Sequence, residues 1–383
     1  MQNPFSRIGT AIQSALHSGG ESVVGVDVGS AYLKVVQLRK KGGKAVLETY
    51  GELALGPYGG VEIGRATKLS PEKLSEALRD VMREAHVTTH NAGVAIPFTS
   101  SLVTTIEMPE LTEKELAVAV PIEARKYVPV PISEVNLDWW IIPDAPADTL
   151  PAMQTNVLES APGAPAPMSA VPKKFKVLIA AIHNEATSRF QTIAKGAYLE
   201  PSFYEIEIFA TIRALFPQDL LPHAVLDMGA GETKLYIIDQ GLLRFSHIIN
   251  HGSQDLTLAL SHALNIPVEE AEKKKRREGI GVGEVSGALQ GLLDYIFSEA
   301  TITLRSFKDR FGREVTDLIL SGGGANLAGI EEYGARSCDV KVLRADPFAH
   351  VEAPAFLDAV LKQVGPEFSV ALGIAFRKLQ ELS

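Results

Sequence analysis

Two copies of one short pattern constrain this chain more than anything else in it. The first is Val23-Val24-Gly25-Val26-Asp27-Val28-Gly29-Ser30-Ala31-Tyr32-Leu33-Lys34-Val35-Val36. Valine-rich runs on either side of Asp27-Val28-Gly29-Ser30 predict a buried strand, a tight turn and a second strand. Such a turn is either an ordinary hairpin or a carboxylate set beside N–H and hydroxyl donors, the chemistry of a metal–phosphate pair. About 200 residues later, Ala224-Val225-Leu226-Asp227-Met228-Gly229-Ala230-Gly231-Glu232-Thr233-Lys234-Leu235-Tyr236-Ile237-Ile238 repeats the order of apolar run, D-x-G-x, Lys and apolar run. A hairpin opening each half predicts an internally duplicated α/β protein whose halves face each other across a nucleotide.

The 383 residues suffice for two domains or more. Hydrophobic residues make up 46% and charged residues 22%, as in a soluble globular protein. A formal net charge of −9 argues against nucleic acid as the main partner, since phosphate backbones call for a basic field. The basic cluster Lys273 to Arg277 is followed by Glu278 and reads as a solvated helix face. Cys338 stands alone, which excludes an intrachain disulfide framework and fits a reducing compartment. No apolar run near the roughly 18 residues of a bilayer span is evident, and the N-terminus lacks a signal-peptide core, so the expected location is cytoplasmic.

Residues 1–22 form an N-terminal arm in which Phe5, Ile8, Ile12 and Leu16 fall at helical spacing. One arginine, Arg7, is too little basic charge for a membrane-surface helix, so a partner contact or tethered arm is expected. Ser70-Pro71 starts a helix, with Ser70 as N-cap. Thr112 and Glu115 form a capping box at the head of another, disturbed at Pro121. Residues 143–172, rich in Pro and Ala, read as a disordered loop inside a small subdomain. Asp317-Leu318-Ile319-Leu320 is a buried strand running into Ser321-Gly322-Gly323-Gly324-Ala325-Asn326, with a helix expected at 327–333. Only glycines let backbone approach a flat ligand so closely, and a helix N-terminus there favours an anion.

In this order the segments resemble the actin/sugar-kinase/Hsp70 ATPase superfamily, as phosphate 1, phosphate 2 and the adenosine loop, with Ala371-Leu372-Gly373 in the second connecting helix. Within it, the chain resembles over nearly its whole length the PilM family of bacterial type IV pilus assembly proteins, relatives of the cell-division protein FtsA. Val24-Gly25-Val26-Asp27-Val28-Gly29-Ser30 is similar to that family's opening. The block Met108-Pro109 through Glu123-Ala124-Arg125-Lys126-Tyr127-Val128-Pro129 is similar to a signature that general superfamily members lack. The arm before Val23 and the insertion at 143–172 depart from the pattern.

The resemblance implies an actin-like, ribonuclease H-like duplicated two-domain ATPase fold with an inserted FtsA-type interaction subdomain. The first actin-like domain would be 23–104 with 183–222, the inserted subdomain 105–182, and the second domain 223–383, with its smaller part at about 258–316. It implies ATP or ADP with Mg²⁺ as ligands. Asp27 would hold the metal through water, and Gly29, Ser30 and Lys34 would meet the β- and γ-phosphates. Asp227, Gly229 and Gly231 would form the opposing clamp, Asp227 serving both metal and chemistry, with Thr233 as a phosphate donor. Glu207 would orient the attacking water, its alternative being a surface acid at a helix start. Glu272 and Lys275 would contact ribose, the alternative being a solvated charged face. Gly322, Gly323 and Asn326 would pack against adenosine.

The function implied is ATP-dependent assembly at the cytoplasmic face of the inner membrane, in a pilus or related type II secretion complex. The partner would be the short cytoplasmic N-terminal tail of a PilN-like membrane protein, with homo-oligomer or ring formation left open and any ATP turnover slow. Two alternatives stand beside it. A small-molecule kinase of the same fold lacks an obvious substrate-side Asp, and an FtsA-like membrane filament lacks a basic amphipathic tail after the last helix.

Overall fold

A computed structural model describes residues 21–142 and 174–383, apart from Gln218, Val282 and Ser383. The N-terminal arm and the Pro/Ala-rich loop anticipated at 143–172 lie outside the described residues. The chain opens with β1 (Ser22–Val28), β2 (Tyr32–Lys41) and β3 (Lys44–Ala54), then helix α1 (Pro71–Glu84) and β4 (Asn91–Ile96). β5 (Ser101–Pro109), α2 (Glu113–Ala124), β6 (Val135–Ile142) and β7 (Lys174–His183) follow. Next come α3 (Asn184–Gly196), β8 (Glu200–Ile206), α4 (Glu207–Leu215), β9 (His223–Met228), β10 (Thr233–Asp239) and β11 (Leu242–Ile249). The remainder is α5 (Ser253–Leu264), α6 (Val268–Glu278), α7 (Glu284–Phe311), β12 (Asp317–Ser321), α8 (Ile330–Ser337), β13 (Lys341–Arg344), α9 (Asp358–Val364) and α10 (Ser369–Glu381).

The duplication is visible strand by strand. One sheet runs β3-β2-β1-β4-β8 and a second runs β11-β10-β9-β12-β13. In each, the first three strands are antiparallel and the last two are added parallel. Parallel strands need a crossover, and helices supply it between β1 and β4 and between β9 and β12. β1 and β9 are therefore central, flanked on both sides, and their apolar runs are almost wholly buried.

α10 holds the first sheet from behind. Gly25 of β1 lies so close to this helix that a Cβ there would sit 2.0 Å from the Ala371 carbonyl oxygen. Gly373 meets α4 in the same way, 1.9 Å from the carbonyl oxygen of Ala210. Only glycine permits the two helices to cross at that distance. The helical run Ala355–Glu381 is, on length and composition alone, long and apolar enough to cross a membrane, a feature the sequence reading did not single out. Of its most apolar stretch, 61% is buried inside the molecule, as in a core helix. Asp358, Lys362 and Glu367 interrupt its apolar residues, so the sequence shows no continuous run.

Backbone contacts set residues 99–187 apart as a separate compact unit. Its antiparallel sheet has the order β5-β7-β6. α2 covers it, burying Leu116, Val120 and Ala124 against Ile106, Met108, Val177 and Ile179. The capping box forms as its spacing predicts: Glu115 N–H donates to Thr112 Oγ1, and Thr112 N–H donates to the Glu115 carboxylate at 2.8 Å. Pro121 sits inside α2 without ending it. Val118 and Ile122, one helical turn apart, stay exposed, as does Tyr127.

Candidate functional site

Each hairpin presents its aspartate against a lysine of the next strand. Asp27 pairs in register with Lys34, and Asp227 with Lys234. Directly opposite residues in an antiparallel pair project from the same face, so each carboxylate shares its side of the sheet with an ammonium. The turns match as well, since a Cβ at Gly29 would meet the Tyr32 carbonyl oxygen at 2.9 Å and one at Gly229 the Glu232 carbonyl oxygen at 2.9 Å. The Gly29 N–H donates to the Tyr32 carbonyl at 3.0 Å, so it closes its own turn.

The two turns come together. A Cβ at Gly231 would lie 3.6 Å from Ser30 Oγ and 3.6 Å from Ala66 Cβ. Ala66 N–H donates across to Gln254 Oε1 at 3.1 Å, and Thr67 N–H donates to the Ser30 carbonyl at 2.8 Å. Arg276 of α6 donates to Tyr32 Oη at 2.9 Å. The segment after β3 and the hairpin β1–β2 are thus tied to α5 and α6 of the second half.

Glu207 is the first residue of α4, one position after the end of β8, and is buried rather than a surface acid. Its Oε1 accepts the Phe98 N–H at 2.6 Å and its Oε2 lies 3.0 Å from Lys234 Nζ. Lys234 Nζ is also 3.7 Å from Asp227 Oδ2 and 3.8 Å from Glu232 Oε1. Burial pushes the Asp27 carboxyl up to about 6; Lys34 opposes this, while Glu207 and Asp227 add to it. Burial likewise raises Asp227 and Glu232. Burial also works against the charge on Lys234, but Glu207, Asp227 and Glu232 outweigh it and hold its ammonium above the ordinary lysine range. The four carboxylates of Asp27, Glu207, Asp227 and Glu232 thus face two ammoniums, Lys34 and Lys234, and the buried cluster is acidic.

The glycine turn closes the site from the second sheet. Gly322 adopts φ 79°, and a Cβ on it would fall 2.5 Å from Asp227 Oδ1, so only glycine fits beside that carboxylate. The turn itself is the 3₁₀ segment Gly323–Asn326, and α8 begins later than expected, at Ile330 after Gly329. No α-helix N-terminus therefore lies directly behind the three glycines. Gly322 N–H donates to the Pro366 carbonyl at 2.8 Å, and Asn326 Nδ2 donates to Glu367 Oε1 at 2.5 Å. Asn326 Oδ1 is buried without a hydrogen-bond partner among the described residues. Gly323 is open on its outer side, with the Glu367 carboxyl carbon 3.9 Å from where its Cβ would be.

Glu272 and Lys275 sit together on the inner face of α6, whose outer face carries the solvated Lys273. Their charged atoms are 2.7 Å apart, Lys275 donates to the Ser253 carbonyl, and Thr257 donates to Glu272 at 2.5 Å. Burial opposes the Glu272 charge, but Lys275, Thr257 and Arg276 hold its carboxyl down at about 2.

Thr233 is placed away from the cluster, against the expectation of a phosphate donor. It pairs with Met228 on the other face of the sheet, is 0% exposed, and donates its hydroxyl to the His251 carbonyl at 2.7 Å. Side chains alternate along a strand, so Lys234 rather than Thr233 faces the carboxylates. Lys234 was legible: its spacing from Asp227 repeats that of Lys34 from Asp27. Glu232 and Arg276 carried no comparable sequence signal.

The residues present fit a magnesium–nucleotide pair. Among the described residues there is no group of three or more His, Cys, Asp or Glu that could hold a metal ion directly. A hard cation would therefore be held by the buried carboxylates of Asp27 and Asp227 with water and phosphate oxygens, the usual manner of Mg²⁺. The partnerless Asn326 Oδ1 and the open face of Gly323 suit a flat, hydrogen-bonding ligand.

The profile of a family described as type IV pilus assembly protein PilM matches residues 25–162 and 165–379. The cell division protein FtsA of Neisseria meningitidis serogroup B is 25% identical over 365 residues, covering 84% of this chain and 82% of that protein. Among solved structures, the PilM-PilN type IV pilus biogenesis complex superposes with a TM-score of 0.75 and 23% identity, over 93% of this chain and 98% of that one. MreB5 of Spiroplasma citri bound to ADP superposes with a TM-score of 0.52 and 12% identity, over 94% and 97%. These two likenesses show the fold, which is actin-like.

Proposed function

This chain belongs to the PilM family of type IV pilus assembly proteins, and from that premise we propose that it is a nucleotide-dependent docking protein. It binds ATP or ADP with Mg²⁺ between the two hairpins, and the nucleotide sets how its halves close. The observation that carries this is the meeting of Asp27, Asp227 and Glu207 in one buried acidic cluster, with Gly322 pressed against Asp227. When bound, the metal would neutralise that cluster together with the phosphates and polarise the terminal one. Asp27 and Asp227 hold the metal through water, Lys34 and the Ser30 hydroxyl meet phosphate, and the Gly229–Gly231 turn closes the opposite side. Gly322, Gly323 and Asn326 take the adenosine, with Glu272 and Lys275 at the ribose. Glu207 takes the role of orienting water in this reading, and the engagement of both its oxygens supports slow turnover over efficient hydrolysis.

The docking partner is the cytoplasmic N-terminal tail of a PilN-like inner-membrane protein, and the chain works at the cytoplasmic face of that membrane through it. The unit of residues 99–187 is the inserted interaction subdomain. Its exposed Val118, Ile122 and Tyr127 supply apolar surface for contact. Titration of the full chain with a peptide of that tail, with and without Mg·ATP, tests the proposal. We expect saturable one-to-one binding whose affinity depends on nucleotide; no binding in either condition would reject the docking role.

A further inference from the structure

The duplication of the two hairpins breaks at their lysines. Lys34 leans toward Glu52, 3.9 Å away, whereas Lys234 turns into the carboxylates of Glu207, Asp227 and Glu232. Glu207 is thereby held at both ends. One oxygen is fixed by the Phe98 backbone N–H at 2.6 Å, and the other is held at 3.0 Å by a side chain on a flexible stem.

Resting on the reading of this cluster as the nucleotide clamp, we infer that Lys234 is a positioning residue, a built-in counter-ion that holds Glu207 and competes with a divalent cation for Asp227. Two cations cannot share those carboxylates without strong repulsion across a buried, weakly screened site. Lys234 therefore offsets part of the clamp's negative charge and keeps Glu207 engaged, and a metal competes with it for the remainder. Because Lys234 lies within 4 Å of three carboxylates and Lys34, among the described residues, makes its ion pair with Glu52, the gate belongs to the second jaw. A lysine serving only to satisfy buried acids would be needed for stability and would have no bearing on metal affinity.

The test uses the full chain with Mn²⁺ alone, without nucleotide, and reads free Mn²⁺ by electron paramagnetic resonance. Lys234→Met should bind one Mn²⁺ per chain at least about tenfold more tightly than the wild type, since one nearby positive charge is gone. Lys234→Arg, which keeps the charge, should match the wild type. Should Lys234→Met not fold, Lys234→Gln retains a donor for Glu207 and should show the same gain. Unchanged affinity in the neutral variants, or a gain in Lys234→Arg, overturns the inference. Failure of wild type to bind Mg·ATP would reject the clamp reading itself, and the Mn²⁺ comparison would still report on Lys234.

Discussion

At the scale of single residues, position along a strand decides what each side chain can do. Lys34 and Lys234 lie opposite Asp27 and Asp227, while Thr233, one residue from Lys234, is turned into the core. His223 shows the same economy at the start of β9. Its Nδ1 is 2.6 Å from Asp317 Oδ1, its Nε2 is 2.9 Å from Asp219 Oδ2, and its ring stacks on Phe216. Only the imidazolium carries a proton for both carboxylates. Burial opposes that charge, but Asp317 and Asp219 outweigh it and raise the His223 pKa. A raised folded-state pKa stabilises the fold below the ordinary value of about 6.5, and the contribution is lost as pH rises through the folded value. Urea unfolding should show wild type ahead of His223→Gln near pH ~6, with the gap narrowing as pH rises above ~6.5. A gap that does not change with pH would assign His223 to packing alone.

At the scale of elements, hairpins, caps and turns were legible because their signals are local. Ser70 and Thr112 cap the helices their spacing predicts, and each Asp-x-Gly turn joins two strands. What was not legible depends on contacts distant in sequence. Glu207 was placed near a helix start, but nothing around it announces the Phe98 N–H or Lys234 that hold it. The Asn326–Glu367 bond and the Arg276–Tyr32 bond likewise join residues far apart in the chain. The helix expected directly after the triple glycine is displaced to Ile330, because Gly323–Asn326 forms a 3₁₀ turn whose Gly324 packs against Met228. The crossing of α4 and α10 rests on one residue, since any Cβ at Gly373 collides with the Ala210 backbone. Gly373→Ala should cost about 1–3 kcal/mol or more in chemical denaturation. A loss of a few tenths would mean the two helices can separate freely.

At the scale of the whole molecule, duplicated sheets with the same strand order place two aspartates at the ends of two central strands. The family match spans both hairpins and the Met108–Pro129 block, which lies in the unit of residues 99–187. The proposed function requires one nucleotide to be held jointly by both jaws. Calorimetric titration of Mg·ATP into wild type, Asp27→Ala and Asp227→Ala tests it most directly, with circular dichroism to establish that each variant is folded. We expect binding to the wild type and its abolition in both folded variants. Undiminished binding in the two variants would contradict the shared clamp.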